Sequence, residues 1–315
     1  MKKIISSFIS FILINVLILV ITSPFVVLYG PFANIRSTVI GAVATSMHSN
    51  LLHYIMSDAQ INKLLANAQG NNNSINEIIS QFHNNHSNDI KITRISSSRF
   101  KGYLLEISDP TRLKVEATET LGQKGQTTSE IARQCGAVVA VNAGGFYDLN
   151  GTGNGREPDG VVIKNGCFLH GQDITKRMPV IGINNQGALI SGRYTVSQIK
   201  KMHITEAVSF FPTLILNGQK QITHGDGGWG IAPRTAIGQK ANGHLLLLVI
   251  DGRQPQYSLG ATLVDIQNIL YNNGAVVAAN LDGGSSTTMY YKGKVINRPC
   301  DLLGERSIPT AFVII

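Results

Sequence analysis

The chain opens with its longest apolar run, which extends from Ile4 to about Tyr29 and contains no charged residue. Lys2 and Lys3 precede this run. About 26 apolar residues suffice to cross roughly 30 Å of hydrocarbon with some tilt, and the two lysines favour a cytoplasmic N-terminus. We therefore predict a single-pass transmembrane anchor over residues 1–30 in the cell membrane, with the catalytic domain outside the cytoplasm. A cleaved signal sequence and a buried core helix are the alternatives.

Residues 31–89 have a weaker, helical pattern. Apolar residues recur at roughly helical spacing between Asn50 and Ala68, and Ser74 to Glu77 have a capping-box sequence after an Asn-rich break. Residues 83–88 are polar. This pattern predicts a helical stalk or linker between the anchor and the remainder of the chain.

From Ile90 onward the pattern becomes that of short β-strands. Pairs of apolar runs joined by glycine-containing turns predict four hairpins, over residues 161–170, 180–191, 214–223 and 232–251. Two segments here are helical in character: Ser129–Cys135, behind a capping box that begins at Thr127, and Thr262–Tyr271. Many hairpins and few helices predict an α+β fold, with a mixed or antiparallel sheet domain over residues 90–315.

Two of the most apolar strands end in polar segments that contain glycine. Ala275–Ala279 leads into Asn280-Leu281-Asp282-Gly283-Gly284-Ser285-Ser286, and Val138–Val141 leads into Asn142-Ala143-Gly144-Gly145. Glycine lets a turn bring its N–H groups close to a ligand, and consecutive N–H groups with hydroxyls suit an oxyanion such as phosphate. We expect the two segments to share one polar site at the strand ends. Ordinary Gly-Ser turn chemistry is the alternative.

The composition is globular, with 43% hydrophobic and 15% charged residues, and the net charge is +8. Because the basic residues are scattered, nucleic acid is not a predicted partner, and an anionic wall, polymer or membrane surface is favoured. The three cysteines and eight histidines show no zinc-binding spacing. Whether Cys135 and Cys167 pair stays open. No cofactor is predicted; a divalent cation is possible given the many aspartates, although no metal-loop spacing is present.

Six segments, in order along the chain, resemble the phosphodiester glycosidase family. They are Val141–Tyr147, Pro158–Gly166, Pro233–Gly238, Ile250–Arg253, Asn280–Thr287 and Arg306–Phe312. The resemblance covers about residues 100–315. It implies hydrolysis between a sugar anomeric carbon and a phosphodiester oxygen. Bacterial members are often described as exopolysaccharide-associated, so the resemblance implies the reaction more firmly than the substrate.

Such a reaction needs a carboxylate near the anomeric carbon, and two candidates follow apolar strands. Asp282 is the first candidate and follows Ala275–Leu281; Asp251 is the second and follows Leu245–Ile250. If both face one cavity, one acts as base or nucleophile and the other as acid. Either would otherwise only cap its own turn. The sequence does not give their separation, so retention or inversion stays open.

The predicted substrate-binding residues suit a sugar phosphate. Arg234 and Arg253 are candidate phosphate ligands, because a guanidinium binds two oxygens at once. Asn142 is a candidate for hydrogen-bonding a sugar hydroxyl, and Phe146 or Tyr147 for stacking on a sugar face; loop capping and core packing are the alternatives. The remaining candidates are Gly283, Gly284, Ser285, Ser286, Asp159, Glu305 and Arg306.

Three functions are consistent with these residues and with the resemblance. The expected one is an extracytoplasmic hydrolase that cleaves the sugar–phosphate bond of a cell-wall or exopolysaccharide phosphodiester, with the membrane as its second partner. The second is a non-catalytic glycan-binding or exopolysaccharide assembly protein on the same scaffold. The third is a phosphodiesterase that cleaves the phosphorus–oxygen bond on the far side of the phosphate.

Overall fold

The computed structural model describes residues 2–44, 52, 54, 56, 57, 60, 87–147 and 154–315. The helices with bounds in these ranges are α1 (Lys2–Tyr29), α2 (Ala33–Ala44), α3 (Thr128–Gln134), α4 (Val196–Lys201) and α5 (Leu263–Asn272). The strands are β1 (Ile90–Ser96), β2 (Lys101–Ile107), β3 (Leu113–Ala117), β4 (Val139–Asn142), β5 (Phe146–Tyr147), β6 (Glu157–Pro158), β7 (Val162–Lys164), β8 (Cys167–His170), β9 (Met178–Asn184), β10 (Leu189–Tyr194), β11 (Ile204–Val208), β12 (Thr213–Leu216), β13 (Gln219–Lys220), β14 (Arg234–Lys240), β15 (Leu245–Ile250), β16 (Ala275–Leu281), β17 (Met289–Tyr291), β18 (Lys294–Val295) and β19 (Thr310–Ile314).

The strands form three large sheets, and their described pairings are antiparallel. The seven-stranded sheet has the order β1-β2-β15-β14-β16-β12-β13. The two five-stranded sheets have the orders β10-β9-β11-β7-β8 and β18-β17-β4-β19-β3. All four predicted hairpins are confirmed, because β7 pairs with β8, β9 with β10, β12 with β13 and β14 with β15.

The three large sheets turn one face each toward a shared core. Leu247 of β15, Phe312 of β19 and Ile181 of β9 all belong to it. Each outer face is covered by one helix: α5 packs on the seven-stranded sheet, α4 on the β9 sheet and α3 on the β4 sheet. All six residues of β15 are apolar, which suits a strand that is buried on both faces. Burial of each of these side chains stabilises the folded state by roughly 1.5–3 kcal/mol. The fold is thus mostly antiparallel sheet with few helices.

Helix α3 begins where its predicted capping box places it, and α5 begins with a capping box that was not predicted. At α3, the Thr127 hydroxyl accepts from the Glu130 N–H, and the Glu130 carboxylate accepts from the Thr127 N–H. Thr262 and Asp265 make the same reciprocal pair at α5. Both predicted helices are therefore confirmed to within one residue at each end. Helix α4 was not predicted from the sequence, although it also begins with a capping box.

The N-terminal segment differs from its prediction. A membrane span needs a helix of about 20 predominantly apolar residues. In the part of the chain that the structure describes, no helix is both long enough and apolar enough to cross a membrane. The predictions of a transmembrane helix in the fold, of a single-pass cell-membrane protein and of the membrane as a partner are therefore wrong. The extracytoplasmic location was inferred from that anchor and loses that support.

The longest described part of the predicted stalk is residues 31–44, where α2 contacts the sheet domain. Ile40 is fully buried, and Oγ1 of Thr38 donates a 3.2 Å hydrogen bond to Oδ1 of Asp226. The predicted capping box at Ser74 to Glu77 lies outside the described residues, and so does most of the helix predicted between residues 50 and 68. The domain boundaries at residues 30 and 89 stay predictions.

Candidate active site

The candidate catalytic residues lie at one edge of the seven-stranded sheet. β15 and β16 end at this edge, and β14, which lies between them, begins there. Arg234, the first residue of β14, pairs with the last residue of β15, and Thr235 pairs with the last residue of β16. Asp251 and Asp282 directly follow β15 and β16. The antiparallel register therefore places two predicted carboxylates and a predicted phosphate ligand at the same edge.

Asn142 ends β4 in a neighbouring sheet and fastens that sheet to the same edge. Its Oδ1 accepts from Oγ1 of Thr235 at 2.8 Å and from the N–H of Thr288 at 3.1 Å. Its Nδ2 donates to the carbonyl oxygen of Asp282 at 2.6 Å. The side chain is fully buried. The two polar segments thus meet as expected, but the amide is engaged by the protein itself, which leaves the predicted sugar contact without geometric support.

Arg234 is a buried guanidinium whose described hydrogen bonds go to uncharged groups. Nε donates to the carbonyl of Ala261 at 3.1 Å, and Nη2 donates to those of Trp229 at 3.1 Å and Gly230 at 2.7 Å. Burial, followed by the positive charge of Arg253, lowers the pKa of Arg234 to about 10. Within the described ranges, no carboxylate forms an ion pair with it. The negative charges of Asp226 and Asp265 partly oppose this shift, but the guanidinium is not directly paired with either carboxylate.

Arg253 holds a second guanidinium next to the glycine turn. Its backbone φ is +58°, in the left-handed region that residues other than glycine seldom occupy. Nη1 donates to Oγ of Ser285 at 3.3 Å. A Cβ added to Gly284, whose φ is +60°, would lie 3.3 Å from Nη2. The side chain is exposed. An unfavourable backbone conformation thus holds an accessible cation against the turn, a pattern that recurs at ligand-binding sites.

Glycine makes the turn after Asp282 possible. A Cβ added to Gly283 would lie 2.9 Å from the carbonyl oxygen of Pro233, and the same oxygen accepts from the Gly284 N–H at 2.9 Å. Behind the turn, three consecutive hydroxyls are at most 1% exposed and have no hydrogen-bond partner among the described residues: Ser286, Thr287 and Thr288. Buried hydroxyls are normally hydrogen-bonded. This loop therefore keeps hydrogen-bonding capacity that the described protein atoms do not use.

Asp251 is 1% exposed, and three donors hold its carboxylate. Oδ1 accepts from Nδ2 of Asn297 at 3.0 Å and from the N–H of Arg298 at 2.9 Å. Oδ2 accepts from the Tyr257 hydroxyl at 3.3 Å. Burial raises the pKa of Asp251, and these hydrogen bonds only partly oppose it. The arrangement ties the end of β15 to residues 297 and 298, which suits a positioning role better than contact with substrate.

Asp282 is the more accessible of the two carboxylates. The residue is half-buried. Its backbone is fixed on both sides, because its N–H donates to the carbonyl of Ala143 at 3.1 Å and its own carbonyl accepts from Asn142. Asp282 directly precedes the turn Gly283–Ser286 in the chain. Asp282 is therefore held where it can act on a group bound at that turn.

A cavity of about 240 Å³ adjoins the same edge of the sheet. Phe210 and Phe211 form an aromatic wall, and the Phe211 ring centroid is 5.2 Å from that of Trp229. Trp229 in turn packs on the buried guanidinium at the start of β14, at 5.8 Å. Nδ2 of Asn280 in β16 donates to the Phe211 carbonyl at 3.0 Å. The cavity wall is thus in direct contact with the segments that carry the arginine and the carboxylate.

The cavity also has polar lining residues, which include Asp159, Tyr147 and His170. The negative charge of Asp159 raises the pKa of Tyr147. Nδ1 of His170 lies 2.8 Å from the carbonyl oxygen of Gly160, so Nδ1 carries a proton. Asp159 and Tyr147 were predicted from the sequence as site residues, but His170 and the aromatic wall were not. The only signal for that wall was a pair of adjacent phenylalanines before a proline.

Three other predicted residues make structural contacts. Oε2 of Glu305 accepts from the Ser129 N–H at 2.9 Å, so Glu305 caps the first turn of α3. The Arg306 guanidinium lies 4.8 Å from the centre of the Phe146 ring. Phe146 also packs on the cluster between α3 and the β4 sheet. None of these contacts involves the turn after Asp282, so substrate binding by these three residues lacks geometric support.

Across the described ranges, no group of three or more His, Cys, Asp or Glu side chains is placed to hold a metal ion. Cys135, Cys167 and Cys300 are free thiols. The arrangement that remains is two guanidiniums, a glycine turn with hydroxyls and a half-buried carboxylate. Such a set of groups can bind an oxyanion and direct water or stabilise positive charge beside it.

Comparison with known proteins gives consistent matches. A family model described as phosphodiester glycosidase matches residues 135–315. The chain is 30% identical over 192 residues to the N-acetylglucosamine-1-phosphodiester alpha-N-acetylglucosaminidase of Bos taurus and 29% identical over 195 residues to that of Homo sapiens. Each alignment covers 56% of this chain but 35% and 36% of those proteins, so the chain spans about a third of their length.

Solved structures share the fold. The catalytic domain of the zebrafish enzyme of the same name, auto-inhibited by pro-peptide, matches with a TM-score of 0.61 and 23% identity, covering 74% of this chain and 85% of that chain. A hypothetical protein from Synechocystis matches with a TM-score of 0.53 and 18% identity, covering 73% of this chain and 62% of that chain. At these identities the likeness concerns the fold alone.

Proposed function

Because this chain belongs to the phosphodiester glycosidase family, we propose that it hydrolyses the bond between a sugar anomeric carbon and a phosphate oxygen in a glycan phosphodiester. The substrate is of the cell-wall or exopolysaccharide type. Water adds to the anomeric carbon, the bond from that carbon to the bridging oxygen breaks, and the phosphate leaves with that oxygen.

The observation that carries the proposal is the pair of guanidiniums at the glycine turn. Arg253 is close enough to lower the pKa of Arg234, and Arg234 has only carbonyl partners among the described residues. A buried cation that makes no direct ion pair is unfavourable, so binding of an anion offsets both its desolvation and the repulsion between the arginines. A phosphodiester supplies that anion with oxygens that suit a guanidinium.

The two carboxylates take different roles in this proposal. Asp282, half-buried beside the turn, directs the attacking water or stabilises positive charge at the anomeric carbon. Asp251 acts as a positioning residue, because its carboxylate is already bonded by Asn297, Tyr257 and the Arg298 N–H. A phosphate is a good leaving group, so the reaction depends less on a strong general acid than an ordinary glycoside hydrolysis does.

The cavity beside Phe210 and Phe211 is proposed to take the sugar. Its volume of about 240 Å³ and its aromatic wall suit one pyranose ring, whose faces are apolar. Asp159 supplies a hydrogen-bonding group for a hydroxyl within the same cavity. Phosphate at the arginines and sugar at the aromatic wall would place the scissile bond next to Asp282.

The central experiment measures release of free sugar from a sugar-1-phosphodiester by the full chain. Asp282→Asn is expected to lower kcat by at least about 100-fold while the protein stays folded. Asp89→Asn is the matched control, because Asp89 is exposed and directly precedes β1. The first residue of β1 pairs with Ile107, which pairs with the first residue of β15, so Asp89 lies at the end of the sheet away from the site. Equal activity of Asp282→Asn and Asp89→Asn would refute the assigned role.

Hydrolysis in oxygen-18 water separates the proposal from its rivals. Label in the released sugar supports cleavage at the anomeric carbon, whereas label in the phosphate indicates a phosphodiesterase. A glycan-binding protein without catalysis would release no sugar. Binding is followed separately: inorganic phosphate is expected to raise the Tm of the full chain, and Arg253→Gln to reduce that shift.

A further inference from the structure

A second cluster of cations lies beside the candidate site, around the ring of Tyr257. Nζ of Lys101 is 4.6 Å from the ring centroid, and the guanidinium carbon of Arg298 is 4.3 Å from it. Both cationic side chains belong to exposed residues. Tyr257 itself is half-buried, and its hydroxyl donates a hydrogen bond to the Asp251 carboxylate. One aromatic ring therefore orders two positive charges that remain accessible from solvent.

The cluster is joined to the candidate site by backbone hydrogen bonds. The Asp251 N–H donates to the Lys101 carbonyl at 2.8 Å, and the Arg298 N–H donates to the Asp251 carboxylate. The same loop continues into Arg253, whose N–H donates to the Leu259 carbonyl at 3.0 Å. The cations around Tyr257 and the guanidinium at the glycine turn are therefore held in a fixed relation to one another.

These cations differ from three others near the surface, which have acidic partners. Arg99 pairs with Asp265 at 2.8 Å, Lys240 with Glu106 at 2.8 Å, and Lys164 with Glu116 at 2.6 Å. Within the described part of the chain, no such ion pair involves either cation of the Tyr257 cluster, nor Arg253. The edge of the site thus carries three exposed positive charges available to an anionic ligand.

We propose that Lys101 and Arg298, ordered by Tyr257, form a second anion subsite that binds a neighbouring phosphate of a polymeric substrate. This proposal rests on the proposed function and names its substrate class: a chain of phosphodiester-linked sugar repeats rather than a single isolated phosphodiester. One phosphate occupies the arginines at the glycine turn while the next repeat along the polymer is held at the Tyr257 cluster. Attraction of this kind raises association rates and weakens as salt screens it.

The test compares sugar phosphodiesters of one, two and four repeats with the full chain. The wild type is expected to show a kcat/KM at least about tenfold higher for four repeats than for one at low salt, and to lose that preference between about 0.1 M and about 1 M NaCl. Lys101→Gln combined with Arg298→Gln is expected to reduce the preference to roughly twofold or less.

The matched control combines Lys200→Gln with Arg193→Gln. Both residues are exposed on the β9 sheet side, and Lys200 also lies over an aromatic ring, that of Phe168, at 5.8 Å. This control is expected to keep the preference. A wild type that cleaves one and four repeats equally well, or a Lys101/Arg298 variant that keeps the preference, would overturn the proposal.

A binding measurement distinguishes this proposal from the proposed function. Inorganic tripolyphosphate and orthophosphate are titrated into the full chain by calorimetry. The wild type is expected to bind tripolyphosphate at least about tenfold more tightly, and the Lys101/Arg298 variant to lose most of that difference. If no oligomer is hydrolysed but this difference holds, the proposed reaction fails while the second anion subsite stands. If hydrolysis occurs but the difference is missing, the subsite fails alone.

Discussion

Replacing Asn142 with alanine is the sharpest test of how this site is assembled. The substitution removes three hydrogen bonds at once: those from the Thr235 hydroxyl and the Thr288 N–H to Oδ1, and that from Nδ2 to the Asp282 carbonyl. All of these groups lie at a sheet edge where Asn142 itself is fully buried. Alanine at this position has no atoms that reach any of the three partners.

The expected cost follows from those bonds. Each net hydrogen bond contributes about 0.5–1.5 kcal/mol, and a buried group left without a partner costs about 1–3 kcal/mol. Three lost bonds therefore predict that Asn142→Ala lowers the free energy of unfolding by roughly 3–5 kcal/mol. That is a large part of the roughly 5–15 kcal/mol that typically stabilises a protein.

Urea unfolding of the full chain, followed by fluorescence and by circular dichroism, measures this change. Thr235→Val is the matched control, because it removes one of the three bonds with little change of shape and is expected to cost about 1–1.5 kcal/mol. The double variant is expected to cost less than the sum of the single variants, since they share a bond. A loss of stability below about 1 kcal/mol, together with a collapse of activity, would refute the structural role and favour a substrate contact.

Three further outcomes are expected. Gly284→Ala should lower the free energy of unfolding by about 1 kcal/mol, because of the positive φ at this position, and should raise KM by displacing Arg253. In the control Gly218→Ala, φ is +72° and no atom lies within 4 Å of the added Cβ, so the same loss of stability is expected with KM unchanged. Burial raises the pKa of Asp251, so the folded state binds more protons than the unfolded state above the ordinary value of 3.8, and stability falls as pH rises from there. Asp251→Asn, whose side chain does not titrate, should therefore gain stability relative to wild type as pH rises above that value, measured by urea unfolding. Glu305→Ala should lower the Tm through loss of about 1–2 kcal/mol of capping at α3 but keep kcat/KM, and a large loss of kcat/KM in the folded variant would contradict its structural assignment.

The elements that the sequence predicted correctly are those held by local interactions. The capping boxes of α3 and α5 close within three residues, and each confirmed hairpin joins strands that follow one another in the chain. The six short segments that resemble a known family are local in the same sense. By contrast, the membrane anchor predicted from an N-terminal apolar run was wrong, because no helix among the described residues is both long enough and apolar enough to cross a membrane.

The roles of individual polar residues were not predictable in the same way. The three partners of the Asn142 side chain are 93, 140 and 146 residues away in sequence. Glu305 bonds to a residue 176 positions away, and the two cations of the Tyr257 cluster come from β2 and from the segment after β18. No local sequence pattern predicts which of several asparagines or glutamates will contact such a distant partner.

By itself, the sequence determined four hairpins and two helices, and that two strands finish in glycine-rich polar segments. The tertiary structure decided that these ends meet, because the antiparallel order places the ends of β15 and β16 beside the start of β14. It also decided which polar groups are accessible: Asp282 is half-buried and Arg253 is exposed, while Asn142 and Asp251 are buried connections. Alternation along a strand is a local property, but exposure depends on which segments pack against it.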